Sequence, residues 1–264
     1  MRELLLNVFK GRHILKTMVI KDIKARYTGS LFGSLWMIAT PLYQMLLYTF
    51  LFSIILKVRF DTGAGTSSFL VYLLAGLIPW IFFSEATLRG TSVFIDNAHI
   101  IKKVKFPLEV CVASVILSSM TTFLIYLIFY VAALIFFGLL TFHTAPLILF
   151  PFIIQVLLIA GLSFGLGSIA VFFRDINEAL GMILNLLFFL MPIVYPSSAI
   201  PDGLRWIVTI NPLYFIIEMY RGFLILGKMP DMFSVLYPLI FSLFIFFAGY
   251  YIFSKTRDAF KDVL

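Results

Sequence analysis

The stretch VCVASVILSSMTTFLIYLIFYVAALIFFGLLTFHTAPLILFPFIIQVLLIAGLSFGLGSIAVFF, Val110 to Phe173, runs 64 residues without an Asp, Glu, Lys or Arg. The segment before it, Glu85 to Glu109, carries seven such charges. One bilayer crossing takes about 20 apolar residues, so the run is too long for one helix and suits two. They join at its polar break, Thr141 to Pro146. The chain therefore reads as an all-α integral membrane protein containing a membrane hairpin.

Composition agrees along the whole length. Of 264 residues, 62% are hydrophobic and 12% charged, and the mean hydropathy is +1.06, far from the balance of a soluble domain. Helix packing and lipid contact account for most of the 31 Phe. The single cysteine, Cys111, cannot form an internal disulfide, and His13, His99 and His143 have no metal-ligand spacing, so neither a metal site nor catalytic residues are indicated. The N-terminal MRELLLNVFKGRH lacks the apolar run and small-residue cleavage site of a signal peptide.

Charge-free intervals mark six spans: Tyr27 to Leu56, Thr62 to Ser84, the two halves of Val110 to Phe173, Ala179 to Pro201, and Met232 to Ser254. Residues 1–264 form a single transmembrane domain, with an interface helix in 1–29, a six-span bundle in 30–254 and a tail in 255–264. The segment Trp206 to Leu226 is interrupted by Asn211-Pro212, Glu218 and Arg221, which leaves too short an apolar run to cross. An even number of spans puts both termini on one side. Fifteen of the 20 Lys and Arg then fall on that side and five on the other, which places the termini in the cytoplasm by the positive-inside rule. The net charge of +7 thus reports orientation, and nucleic acid is not an expected partner.

Three segments outside the spans carry pattern. From His13 to Arg26, Ile14, Leu15, Met18, Val19 and Ile23 form an apolar arc opposite Thr17, Lys21 and Lys24, the pattern of a helix lying in the cytoplasmic interface against membrane lipid. Asp22 and Arg26 interrupt that arc at i,i+4 spacing, suited to pairing with each other or with a partner. In RGTSVFIDNAHIIKKVKFPL, Arg89 to Leu108, Asp96-Asn97 suits the cap of a short helix, followed by Lys102, Lys103 and Lys105; Pro107 opens the next span. The turn Arg174-Asp175, with Asn177 and Glu178, exposes charge between the fourth and fifth spans. On the outer side, Ser197 to Met229 predicts two short helices, the first opened by Pro201, the second capped by Asn211, begun by Pro212 and ended by Gly227.

These residues carry a resemblance. KDIKARYTGSLFGSLWMIATPL (Lys21 to Leu42), GLIPWIFFSEA (Gly76 to Ala86), IIKKVKFPLEV (Ile100 to Val110), VFFRDINEALGMILNLLFFLMPIVYP (Val171 to Pro196) and INPLYFIIEMYRG (Ile210 to Gly222) resemble, in matching order, permeases of ABC transporters that export O-antigen, capsule or teichoic acid. The resemblance implies a homodimer in a bacterial inner membrane, each copy bound by a separate ATPase that handles ATP and Mg, with no cofactor on this chain. That agrees with the absence of a G-x-x-x-x-G-K-[ST] phosphate loop from the sequence. It implies as cargo a lipid-linked glycan, O-antigen foremost, on an undecaprenyl pyrophosphate carrier.

It also implies roles. Asp22, Arg26, Tyr27, Asp96, Asn97, Lys102, Lys103, Arg174, Asp175 and Glu178 become coupling residues for the ATPase. Trp206, Asn211, Pro212, Tyr214, Glu218 and Arg221 belong to an outer gate. Aromatic rings offer sugar faces an apolar platform, which makes Trp36, Tyr43, Phe50, Trp80, Phe82, Phe83 and Tyr195 the expected channel lining. Arg26, Arg89, Lys102, Lys103 and Lys105 suit either topology control or attraction of the pyrophosphate. Three other functions stand as alternatives. A drug or small-lipid ABC exporter shares the topology. An ion-coupled transporter is disfavoured by the uncharged span centres, with Glu85 read as a helix-terminal group near a cytoplasmic end. A membrane transferase lacks a nucleophile with a base or an acid cluster.

Overall fold

The computed structural model describes residues 2–26, 32–48, 50–51, 55, 69–104, 106–197 and 200–264. Tyr27, Lys57, Arg59 and Lys105 lie outside them, as do parts of the first two expected spans. The described residues fold as helices: α1 (Arg2–Lys10), α2 (Arg12–Ala25), α3 (Trp36–Tyr48), α4 (Phe69–Asp96), α5 (Ala98–Lys103), α6 (Glu109–Phe136), α7 (Leu149–Phe172), α8 (Ile176–Leu190), α9 (Arg205–Thr209), α10 (Pro212–Arg221), α11 (Met232–Thr256) and α12 (Phe260–Val263).

Four helical stretches among them are long and apolar enough to cross a membrane: Val71–Lys103, Glu109–Phe136, Ala145–Phe172 and Met232–Val263. The charge-free run that decides the fold supplies α6 and α7. Their junction starts earlier than its polar residues suggest, because α6 stops in a glycine cap. Gly138 takes a left-handed φ of 68°; its amide donates to Ile135 O at 3.1 Å, and the Leu139 amide donates to Leu134 O at 2.8 Å. The helices in the first and fifth expected spans are shorter: α3 has 13 residues and α8 has 15, about 22 Å of rise for the latter.

Small residues set the packing. A β-carbon on Gly161 of α7 would lie 2.6 Å from the backbone of Ile245 and Phe246 on α11, and one on Gly249 would lie 2.9 Å from the Gly161 carbonyl carbon. One on Gly167 would lie 2.8 Å from Gly90 O on α4. Helices in lipid gain nothing from hiding apolar surface, so this backbone approach, with its dispersion contacts, replaces the hydrophobic drive. Ring contacts continue the seam, with Phe94 stacked 5.6 Å from Phe253 and tilted 5.0 Å from Phe260.

Two ends of the bundle are distinguished by their contacts. At one, the Glu109 carboxylate, 2% exposed, accepts from Asn7 Nδ2 at 3.0 Å and pairs with Arg257 at 3.5 Å, so both terminal segments meet the start of α6. Phe172 at the end of α7 meets Phe260 there. At the other end, Phe215 of α10 meets Phe233 near the start of α11. Asp231 caps α11, and the Ser234 hydroxyl and amide hold its carboxyl below the usual carboxylate range.

Candidate functional site

The first site forms where α2 meets the middle of the bundle. The apolar arc of the sequence appears as a packed face: Met18 is buried, Ile14, Leu15, Val19 and Ile23 are half-buried, and Thr17, Lys21 and Lys24 are exposed. Asp22 and Arg26 do not pair with each other. Asp22 pairs with Arg89 of α4, and Arg26 Nη2 lies 2.6 Å from Glu85 Oε1. Arg89 also reaches Glu85 at 3.4 Å. An i,i+4 ion pair is worth only about 0.3–0.5 kcal/mol on an exposed helix. The interhelical arrangement adds hydroxyl partners: Arg26 donates to Thr122 at 3.0 Å, Arg89 to Ser118 and Ser119 at 3.2 Å, and Ser119 to Glu85 at 3.1 Å. Glu85 is thus the hub of the cluster, well inside α4, and the terminal position expected for it is corrected.

The other candidate coupling residues stand apart from this cluster. Asp96 and Asn97 do not cap α5; Asp96 accepts from Ser92 at 2.6 Å and Asn97 donates to Val93 O at 2.8 Å, both turned back onto α4. Buried Ile101 anchors α5 while Lys102 and Lys103 remain exposed. Arg174, Asp175 and Glu178 are exposed at the turn between α7 and α8, without an ion pair among the described residues. Since Phe172 and α5 both adjoin the C-terminal helix, these charges share one end of the bundle.

At the opposite end the expected capping signals are realised. Asn211 accepts from the Leu213 amide at 3.0 Å, Pro212 opens α10, and Gly227 ends the following turn with a φ of 59°. Trp206 is exposed on α9 and Tyr214 half-buried. Glu218 and Arg221, spaced i,i+3 on an otherwise apolar helix as for a pair that dips inward, do pair, and Arg221 is 0% exposed. Its guanidinium donates to the Tyr72 hydroxyl at 2.8 Å, Tyr72 O at 3.3 Å, Ile193 O at 3.2 Å and Glu218 Oε1 at 2.7 Å. It also lies 3.6 Å from the centre of the Tyr72 ring. Gly76 makes room, because a β-carbon there would lie 2.6 Å from Arg221 Nη2. The hairpin seals the end of this element, as Thr141 and Thr144 each donate to Phe223 O at 2.7 Å. Buried Gln155 joins α7 to both neighbours, donating to Pro79 O and accepting from Tyr220.

The aromatic residues divide into two groups. Trp36, Tyr43 and Phe50 are exposed, and Tyr195 is half-buried with its hydroxyl on Leu190 O. Phe82 and Phe83 are buried; Phe82 lies 5.0 Å from Phe123 and 5.8 Å from Phe152, within the core between α4, α6 and α7. Trp80 is also largely covered, but with Phe188, 5.9 Å away, it lines a cavity of about 560 Å³ between α3, α4, α6 and α8. Arg26 and Glu85 line the same cavity, so the charge cluster opens onto it.

Known proteins place this architecture. Over 249 residues the chain is 32% identical to an O-antigen export system permease protein, RfbA, of Klebsiella pneumoniae, covering 92% of each sequence. It is 28% identical to the RfbA of Myxococcus xanthus over 99% of each. It is 24% identical to the polysialic acid transport protein KpsM of Escherichia coli, over 92% of this chain and 93% of that one. Residues 13–225, from α2 to the turn after α10, match the model of the ABC-2 type transporter family. The chain belongs to the ABC-2 type transporter family.

Proposed function

We propose that the chain is the membrane subunit of an ATP-driven exporter that carries a lipid-linked polysaccharide, O-antigen foremost, out of the cytoplasm across a bacterial inner membrane. The observation that carries this is the likeness to O-antigen export permeases over nearly the full length of both sequences. The chain acts as a homodimer, transports rather than catalyses, and takes its energy from a separate ATPase that binds ATP and Mg. Undecaprenyl pyrophosphate is the proposed carrier.

Contacts at the bundle ends favour six crossings. Asn7 lies at the Glu109 end and Tyr72 beside Arg221 at the other, so the chain changes ends between them, and α2 and α3 lie on that path. Phe172 meets the C-terminal helix while Phe233 meets α10, so a second change of ends falls between α7 and α11, along α8. Added to the four long helices these make six, and the shared Glu109 contact of the terminal segments agrees with an even number. The excess of basic residues at that end supports a cytoplasmic position for it.

The exposed charges of α5 and of the α7–α8 turn then face the ATPase. The Asp22–Arg89–Glu85–Arg26 cluster passes a shift of α2 to α4. At the outer end α9 and α10 close the path, held by Arg221. Arg89→Gln keeps the side-chain length but removes the charge shared by Asp22 and Glu85. The variant is expected to hydrolyse ATP while moving several-fold less glycan per ATP; an unchanged ratio removes the cluster from coupling. For the function as a whole, cells lacking the chain should hold lipid-linked glycan at the cytoplasmic face, and the restored chain should return it to the surface. Normal surface glycan in the deletion strain contradicts the proposal.

A further inference from the structure

Helix α7 carries one amide side chain and no charged one, Gln155. It is 0% exposed, and both ends of the amide are bonded to other helices. Nε2 donates to Pro79 O of α4 at 2.7 Å, and Oε1 accepts from the Tyr220 hydroxyl of α10 at 3.2 Å. Phe123 of α6 meets the Tyr220 ring edge-on at 6.2 Å and fixes its direction. An apolar side chain would fill the same space with no partners to find. A polar group in the interior of a membrane bundle is costly and marks a working position.

The bond to Pro79 falls at the weak point of α4. Proline inside a helix has no amide to donate to the carbonyl four residues back, here Ala75 O, and its ring crowds that carbonyl, so the helix bends there more easily than elsewhere. Gly76 adds a residue of high backbone freedom to the same turn. Residues 76–79 separate two sets of contacts on the one helix. Before them, Arg221 of α10 holds the Tyr72 hydroxyl and carbonyl, and Val71 O accepts from Tyr130 of α6 at 2.7 Å. After them, Glu85 and Arg89 pair with Arg26 and Asp22 of the N-terminal segment. The two sets are about 20 Å of helix rise apart.

A displacement applied at one end of such a helix is absorbed as bending at the weak turn unless something stiffens it. Through the Gln155 amide, Tyr220 ties α10 to α4 at Pro79. Arg221, the next residue of α10, ties it to α4 at Tyr72. Helix α10 is thus fastened to α4 on both sides of the weak turn, as a splint is, and Gln155 makes one of the two fastenings.

We propose that Gln155 is a positioning residue for export: it braces α4 at Pro79 against α10, so that a shift delivered at Glu85 and Arg89 reaches the outer helices instead of being lost as bending at residues 76–79. The inference rests on the export function and on the roles given above to the charge cluster and to α9 and α10. Gln155 acts through Pro79 and Tyr220, by hydrogen bonds that carry motion between packed elements.

The test uses the full transporter in lipid nanodiscs and in sealed vesicles. Gln155→Met removes the amide at nearly constant size but strands the Tyr220 hydroxyl, so it is combined with Tyr220→Phe, which leaves neither group unpaired. The double variant should melt like the parent and hydrolyse ATP, yet move roughly threefold less glycan per ATP or lower still, within the range by which substitutions in a coupling network act. Tyr220→Phe alone, the gentler change, should show the same direction of loss. Ile153→Leu, exposed on the same helix, should match the parent. Hydrogen exchange, read with and without ATP and vanadate, follows the motion independently of cargo. In the parent, trapping should alter exchange both in α2 and in α9 and α10; in the double variant the response of α2 should remain and that of α9 and α10 should be lost. A merely structural role predicts that parental melting brings parental coupling with it. Parental glycan per ATP in a parent that exports, or a parental response of α9 and α10 in the double variant, overturns the brace and leaves the export function standing. If the parent shows the linked exchange response and the double variant loses it while neither moves glycan, the brace stands and the export function falls.

Discussion

Replacing Arg221 by methionine is expected to cost about 3–5 kcal/mol, the scale for breaking a buried ion pair by removing one partner. The side chain is wholly buried and holds together Glu218, the Tyr72 hydroxyl and backbone, and the Ile193 carbonyl. Methionine fills most of the space but leaves the Glu218 carboxylate without its cation and the Ile193 carbonyl without the Arg221 donor. The purified variant should melt far below the parent in detergent, and α10 should become accessible to protease. Adding Glu218→Leu should recover a large part of the loss, since replacing both members of a buried pair is often near neutral. Gly76→Ala should reproduce the defect more weakly by crowding the guanidinium. If Arg221→Met melts like the parent, the buried network does not hold α10 in the bundle.

The second large effect is predicted at Gly249. Any side chain there would overlap the Gly161 carbonyl oxygen and approach Gly165 N at 3.1 Å, all backbone atoms that cannot rotate away. Helices α7 and α11 must then separate, forfeiting contacts along the most extensive interhelical seam among the described residues. Gly249→Val is expected to lose about 3 kcal/mol or more, at the upper end for overpacked cores, and to yield little folded protein. Gly203→Ala is the matched control, because a β-carbon at Gly203 meets nothing within 4 Å, and its melting temperature should stay at the parent value. A Gly249→Val chain as stable as the parent contradicts the close approach of α7 and α11.

What could be read from the chain alone follows from how each signal is written. Helix starts and stops are local, so Asn211 and Pro212 mark the start of α10, Gly227 the end of the turn that follows it, and the charge-free run α6 and α7. Which face of a helix turns inward is a matter of periodicity, and it was legible in α2, where polar and apolar residues alternate with the turn. In the long spans it was not, because they are apolar all round and carry no such contrast. That is why Phe82 and Phe83, adjacent to Trp80, lie in the core while Trp80 reaches the cavity.

Polar residues near the helix ends misled for a related reason. Asp22 and Arg26 are suitably spaced for each other, but Glu85 and Arg89 of α4 lie within reach and bring hydroxyl partners with them. Asp96 and Asn97 sit at a helix boundary yet bond backwards to Ser92 and Val93. The depth of Arg221 had a trace in the sequence, a glycine at 76 in an aliphatic span, but only the fold joins the two positions. Gln155 and Glu109 left no trace beyond being polar residues in or beside an apolar run.

ATP-driven glycan export is measured by reconstituting the purified chain with its ATPase in sealed vesicles loaded with lipid-linked glycan on the ATPase side. ATP and Mg should move the glycan to the opposite leaflet, omission of either the chain or ATP should stop it, and Arg89→Gln should lower the glycan moved per ATP hydrolysed. Hydrolysis accompanied by movement of a small amphiphile, with the glycan left in place, would contradict it.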